Sequence, residues 1–315
     1  MLEVFSLEVA VICLGIGAGG AVLALIVRLV KGDGADSLLR ALETFLTGAL
    51  GAFLAHTFIY LMLAAGKHSD LTITLTSFFF FIWPGLVNVI SQLAVHHPVI
   101  GEPGVLLIAL VVGGGVGVMD GLWAIHNWKG LGWLAFPLDI TWGLAGSTNG
   151  LLLHVINFAW AGHADGDDEI RHDAHRYASG FRLKQNFVFT QGAVMSDSQN
   201  YSPGTDLYFH ETLHCWQNRI LGPFFWFSYM GWIVVIYIPS LIAGAIGGRV
   251  ADAITWWTYY NNPWEVMAYG IADSSDRSGE ADWLCWPWAL VIVIDAIVTV
   301  GGGALFVTLF MKAYA

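Results

Sequence analysis

The feature that most constrains this chain is a series of long apolar runs almost free of charge, at about 9–27, 44–66, 71–95, 103–119 and 130–162, and again at 220–248 and 286–311. Each approaches or exceeds the roughly 20 residues that a helix needs to cross a hydrocarbon core of about 30 Å. In lipid, backbone polar groups must pair within the chain, and helices do this locally. Composition agrees: 56% of the 315 residues are hydrophobic and 12% are charged, against a charged share of about 25% in a soluble domain. The fold expected is an all-α integral membrane helical bundle, with the lipid bilayer as its first partner. A large soluble catalytic domain is excluded.

Charge and cysteine usage narrow the function further. The net charge is −11 and the 13 Lys and Arg are scattered, so a nucleic-acid partner has no electrostatic support. Cys13, Cys215 and Cys285 are too few and too far apart for a disulfide framework or a CxxC motif, and read as packing thiols. The first apolar run is preceded by Glu3 and Glu8, where a signal peptide carries positive charge, so it reads as a retained span.

Three regions are expected. Residues 1–162 form a transmembrane bundle of about five helices, 163–282 a membrane-associated module, and 283–315 a C-terminal transmembrane helix. The run 130–162 contains Pro137, Asp139, Gly143, Gly146 and Gly150, which predicts a tilted or broken helix. The module opens on the polar stretch HADGDDEIRHDAHRYASG. Within it, residues 181–195 (FRLKQNFVFTQGAVM) alternate imperfectly and predict a short strand or hairpin. Pro203-Gly204 supplies turn chemistry, and Thr205 or Asp206 suits the cap of a helix over about 207–221, ending at Gly222-Pro223.

That helix carries His210-Glu211-Thr212-Leu213-His214. Side chains four apart share a helix face, so His210 and His214 can reach one metal ion while Glu211 addresses a water beside it. A catalytic zinc site takes three protein ligands and keeps one position open, so a third ligand is needed downstream. Glu265 is the candidate, on a second helix for which Pro263 suits the first turn and Asn262 the cap. Asp273 and Asp276 are weaker alternatives, and Asp273 has a further candidate role in orienting a ligand imidazole. Gln217 and Asn218, three and four residues beyond His214, fall on its helical face and are candidates for holding a ligand or a substrate carbonyl. Tyr259, Tyr260, Tyr269 and Arg277 are candidate oxyanion partners.

HETLH followed by an Asn-Pro-x-Glu helix resembles the gluzincin class of zinc metallopeptidases, and in outline its membrane-embedded prenyl-protein endopeptidases. The resemblance covers about residues 187–276. It implies one zinc per chain held by His210, His214 and Glu265, with Glu211 as general base. It also implies an edge strand before the motif helix that pairs with extended peptide, with a core or hairpin strand as the equal alternative. The chain departs from those endopeptidases where Glu265 is followed by Val-Met-Ala-Tyr in place of Ala-Asp.

A shared ion constrains topology. If 220–248 were one span, His210 and Glu265 would emerge on opposite membrane faces. Pro239-Ser240 divides the run, so a re-entrant or surface-lying hairpin near 223–248 with its break at Pro239 is expected. Arg28, Lys31 and Arg40 after the first span, with Arg171, Arg176, Arg182, Lys184 and Arg219 in the module, put that module on the cytoplasmic face, and the acidic start and unpaired cysteines suggest a prokaryotic cell membrane. His56, Asp120, Asp139, His154 and Asp295 fall at membrane depth and read as polar glue between helices, with an ion path as the alternative. His172 and His175 read as solvated, with a second metal as the alternative. The function expected is hydrolysis of a peptide or membrane-protein substrate at the membrane surface. The alternatives are a non-catalytic subunit of a membrane complex and a di-iron oxygenase, for which the only adjacent histidine pair is His96-His97.

Overall fold

The computed structural model describes residues 4–32, 34, 36–158, 161–163, 172–183, 187–198 and 204–272, with isolated helical positions between 293 and 311. Among the described residues, four helices are long and apolar enough to cross a membrane: α1 (Leu7–Lys31), α2 (Asp36–Ala65), α5 (Glu102–Trp123) and α9 (Pro223–Gly247). The chain is a membrane protein on this evidence. Side chains such as Leu14, Leu42, Leu50 and Val111 point outward, as lipid-facing positions should.

Helices α2 and α5 approach closely because small residues face each other. A Cβ at Gly113 would lie 2.4 Å from Gly51 O, and one at Gly117 would lie 2.1 Å from Thr47 O. No larger residue fits either position, which is the small-residue packing by which helices associate without a hydrophobic drive. The C-terminal ends of α1 and α5 lie together: an Arg28 guanidinium nitrogen donates to Leu122 O at 2.8 Å, and the Lys31 ammonium sits 4.5 Å from the Trp123 ring centre.

Two of the expected spans are not single helices. The run 71–95 divides into α3 (Asp70–Phe81) and α4 (Trp83–Val95) at Ile82, whose φ is +51°. They fold back on one another tightly enough that a Cβ at Gly85 would meet Phe78 Cα at 2.1 Å. Asn88 fixes the pair, donating to Ser77 Oγ and Ile100 O and accepting from Ile100 N. The run 130–162 breaks, as expected, into α6 (Gly132–Ile140) and α7 (Leu144–Phe158). The turn of the first pair meets α7, where Thr148 Oγ1 donates to Phe80 O and Trp83 Nε1 to Asn149 Oδ1.

The module contributes a three-stranded sheet in the order β1-β3-β2, made of β1 (His175–Arg176), β2 (Phe189–Gln191) and β3 (Val194–Ser196). β2 and β3 form the predicted hairpin, with Gln191 opposite Val194. Its turn needs Gly192: φ is +57°, and a Cβ there would lie 2.7 Å from Gly146 O on α7. The sheet is thereby pressed against the bundle. Helix α8 (Asp206–Leu221) follows, capped by Thr205, whose Oγ1 accepts from Tyr208 N, and stopped at Gly222 with φ +57°.

The hairpin expected from Pro239 forms elsewhere. α9 continues through Pro239 to Gly247, and the chain reverses at Gly248, with φ +67°. Helix α10 (Val250–Thr255) and a π-helical turn (Trp256–Tyr260) then run back along α9, and α11 (Pro263–Ala272) completes the return. A Pro inside an apolar helix loses one backbone bond, which neighbouring groups re-satisfy at modest cost in lipid. The break at Pro239 is therefore corrected to a turn at Gly248. The expected C-terminal span is described only at isolated helical positions, which are exposed.

Candidate metal centre

Helices α8 and α11 bring the metal-ligating groups together. His210 and His214 share one face of α8, and Glu265 projects from the first turn of α11. Their ligand atoms all lie within 4.8 Å of one another, and all three residues are buried. His210 Nε2 and His214 Nε2 face each other at 3.1 Å. Glu265 Oε2 stands 3.2 Å from His210 Nε2, and Oε1 stands 3.3 Å from His214 Nε2.

Each group is held from outside. Gln217 Oε1 accepts from His214 Nδ1 at 2.8 Å, which assigns the proton to Nδ1 and leaves the Nε2 lone pair turned inward. Gln217 Nε2 then donates to Trp264 O at 3.1 Å, so one amide ties α8 to the residue beside Glu265. Tyr229 on α9 donates its hydroxyl to Glu265 Oε1 at 2.7 Å. Asn262 caps α11 by accepting from Trp264 N, and Trp264 Nε1 donates to Ser228 Oγ on α9. The Tyr269 ring lies 4.3 Å from the His210 ring, centre to centre.

Glu211 sits on the same helix, also buried, and accepts from Thr190 Oγ1 of β2 at 2.5 Å. Burial pushes its carboxyl up from the ordinary value, against the opposing pull of His214 and His210. Glu265 behaves oppositely. Burial would raise it, but His214 and His210 together hold it well below the usual carboxylate range. Burial would likewise lower His214, yet Glu265 and Glu211 drive it up to about 9, so a metal ion bound here would have to displace a proton from Nε2. Two carboxylates a few residues apart in space are thus poised differently, one held ionised and one inclined to take a proton.

The donor set fits a divalent transition metal. Two inward-facing imidazole nitrogens and one ionised carboxylate, all desolvated, are the ligands such an ion takes. His210 Nδ1 is buried without a hydrogen-bond partner among the described residues.

The other sequence candidates separate. Gln217 and Tyr269 join the group. Asn218 does not: it turns toward the bundle, donating to Gly143 O at 3.1 Å and packing against Gly146, where the α6–α7 break leaves room. Its assignment to the metal face is corrected on that ground. Asp273, Asp276 and Arg277 lie outside the described residues. His97 Nδ1 lies 3.2 Å from Pro98 O, and neither His96 nor His97 joins the group. Tyr229 was not singled out from the sequence, since an aromatic residue within an apolar run carries no distinguishing signal.

A second charged network lies behind α8. Arg219 is fully buried and grips Asp139 of α6 through Nε and Nη2, at 2.8–3.0 Å, and also donates to Asp173 O. Arg219 and the nearly buried Arg176 are therefore not loop charges, and they leave the count that oriented the module. Asp120, Asp139 and His154 all belong to this buried region: Asp139 joins α6 to α8, as polar glue between helices would, whereas Asp120 pairs with His126 of the loop after α5 and with His175 of β1, and His154 with Tyr177.

Comparison with known proteins returns nothing at significance: no family model, no curated protein and no solved structure matches this chain.

Proposed function

We propose that the chain is a membrane-embedded zinc metallopeptidase that cuts a peptide or membrane-protein substrate at the membrane surface. The observation that carries this reading is the convergence of His210, His214 and Glu265, buried and within 4.8 Å, with Glu211 on the same helix. A structural metal site has no use for Glu211, whereas hydrolysis needs a base there.

Zinc, when bound, supplies a Lewis acid that polarises a carbonyl and makes water a nucleophile at neutral pH. The chain's own residues supply the rest. Glu211 takes the proton of the attacking water and returns it to the leaving nitrogen, a role suited to a carboxyl pushed up by burial. Thr190 holds Glu211 Oε2, which fixes the carboxylate in place and leaves Oε1 for the proton. β2 is an outer strand of the sheet, and its link to Glu211 supports the reading that extended substrate pairs along it.

We further assign the module to the cytoplasmic face. Lys31, at the basic end of α1, lies over Trp123, and the Trp123 ring stacks on His163 of the module at 4.1 Å, so the positive end of α1 and the module share one end of the bundle. A prokaryotic cell membrane remains part of the same proposal.

The test is hydrolysis of a fluorogenic peptide library by protein reconstituted in proteoliposomes. Wild type cleaves a subset of peptides, and Glu211→Gln loses about 10²–10⁴-fold while keeping its metal. Equal turnover in the two would refute the assignment. Absence of turnover, with metal retained, would favour a non-catalytic subunit of a membrane complex.

A further inference from the structure

Four of the eleven histidines collect in one buried region away from the metal centre, contributed by α7 (His154), the loop after α5 (His126), residue 163 and β1 (His175). Such concentration in a membrane protein with so few polar residues calls for an explanation. The local fold sets the geometry. His163 pairs with Tyr177 across an antiparallel bridge, and His175 lies two residues before Tyr177, on the same face of its strand. His163 and His175 are therefore diagonal neighbours across the pair.

Their nitrogens face each other. His163 Nε2 stands 3.1 Å from His175 Nδ1, the same separation as between the two Nε2 atoms of His210 and His214. The far side of His175 is taken: Nε2 donates to Asp120 Oδ1 at 2.9 Å, which places the proton there and leaves the Nδ1 lone pair toward His163. A carboxylate behind a histidine whose other nitrogen faces a second imidazole is the arrangement that orients metal ligands. Asp120 is itself fixed, since its other oxygen accepts from His126. His175 is 1% exposed, whereas His163 is only partly buried and gives an ion a way in.

We propose that His163 and His175 form a second transition-metal site, with Asp120 orienting His175. Two neutral imidazole ligands suit Zn²⁺, Cu²⁺ or Ni²⁺ and leave further positions to water. With two protein ligands in place of three, the site binds more weakly than the first. An ion there clips the two ends of the segment 163–175 together at the end of span α5. The pairing differs from the one suggested by sequence spacing, because His172 is exposed and rests against Tyr208 while His175 turns inward.

The test uses zinc titration of the full-length protein in detergent, with Cu²⁺ electron paramagnetic resonance as a second readout. Wild type should bind two zinc ions in resolved tight and weak phases, and His163→Ala should bind only the tight one. His163 is partly exposed, so this variant is expected to fold, and an unchanged melting temperature without metal verifies it. In His214→Ala, one weak zinc should remain and disappear on adding His163→Ala, and Cu²⁺ in that background should show coupling to two imidazole nitrogens. A single zinc in wild type that His163→Ala leaves untouched would overturn the second site alone. A single zinc lost in His163→Ala but kept in His214→Ala would uphold it and overturn the proposed metal centre. Should His214→Ala not fold, the wild-type and His163→Ala titrations decide.

Discussion

The molecule holds two buried groups of histidines and carboxylates with different wiring, and the difference separates a candidate ion site from an internal clamp. At the metal centre two imidazoles turn Nε2 toward each other and share the single carboxylate of Glu265. Around His126 each ring nitrogen instead has its own carboxylate, Nε2 on Asp120 at 3.0 Å and Nδ1 on Asp173 at 3.3 Å. The first arrangement leaves lone pairs converging on one point. The second consumes both nitrogens of His126 in charge-assisted bonds and joins the end of α5 to the module. Residue types are the same in both, so composition alone does not distinguish them; the direction of the nitrogens does.

The comparison breaks most visibly at Arg219, which anchors the motif helix to the clamp region. Arg219→Ala leaves Asp139 buried without a partner and is expected to cost about 3–5 kcal/mol, the usual penalty for splitting a buried pair. Its melting temperature in detergent should fall sharply, whereas Asp139→Asn with Arg219→Gln should recover part of the loss. If Arg219→Ala melts like wild type, the anchor is not structural.

The clamp predicts its own pH dependence. Burial would lower His126, but Asp120 and Asp173 overcome it and raise it to about 9, with Asp139 adding to the field. Because the folded value exceeds an unfolded value of about 6.5, this stabilisation is complete below about pH 6.5 and is lost as pH rises through about 9. The shift corresponds to at most about 3.4 kcal/mol. Thermal stability measured from pH 6 to 10 should decline across that window, and His126→Gln should flatten the decline. A decline of equal size in His126→Gln would assign it to other groups.

A smaller effect sharpens the metal side. Gln217→Ala frees the Nδ1 proton of His214 from its acceptor and unties α8 from Trp264. Metal affinity should drop about 10–100-fold without loss of fold, as removal of such orienting partners does. Competition with a chromophoric chelator measures it. Asn218→Ala, whose side chain serves the bundle, should leave the affinity unchanged and lower stability instead.

Much of the metal centre was legible in the sequence. HETLH announced its own geometry because the helix period is fixed, and Thr205 announced where that helix starts. Asn262-Pro263 did the same for α11 and so for Glu265. The path between them differs from the break expected at Pro239, because an apolar helix in lipid tolerates a Pro, and the turn lies at Gly247-Gly248. The α3–α4 fold was signalled by Pro84-Gly85, a turn dipeptide inside an otherwise uniform apolar run. Tyr229 and the Asp120–His126–Asp173 clamp had no comparable sign. Their partners are far away in sequence, and nothing local in the chain requires them.

The central claim is that Glu265 completes a three-ligand metal centre with His210 and His214. It is tested most directly by the zinc content of wild type, Glu265→Ala and Glu211→Gln, each purified and dialysed to remove weakly held ions, with folding matched by circular dichroism. The account predicts close to one zinc per chain in wild type and Glu211→Gln, and almost none in Glu265→Ala. Full zinc in Glu265→Ala, or none in wild type, would contradict it.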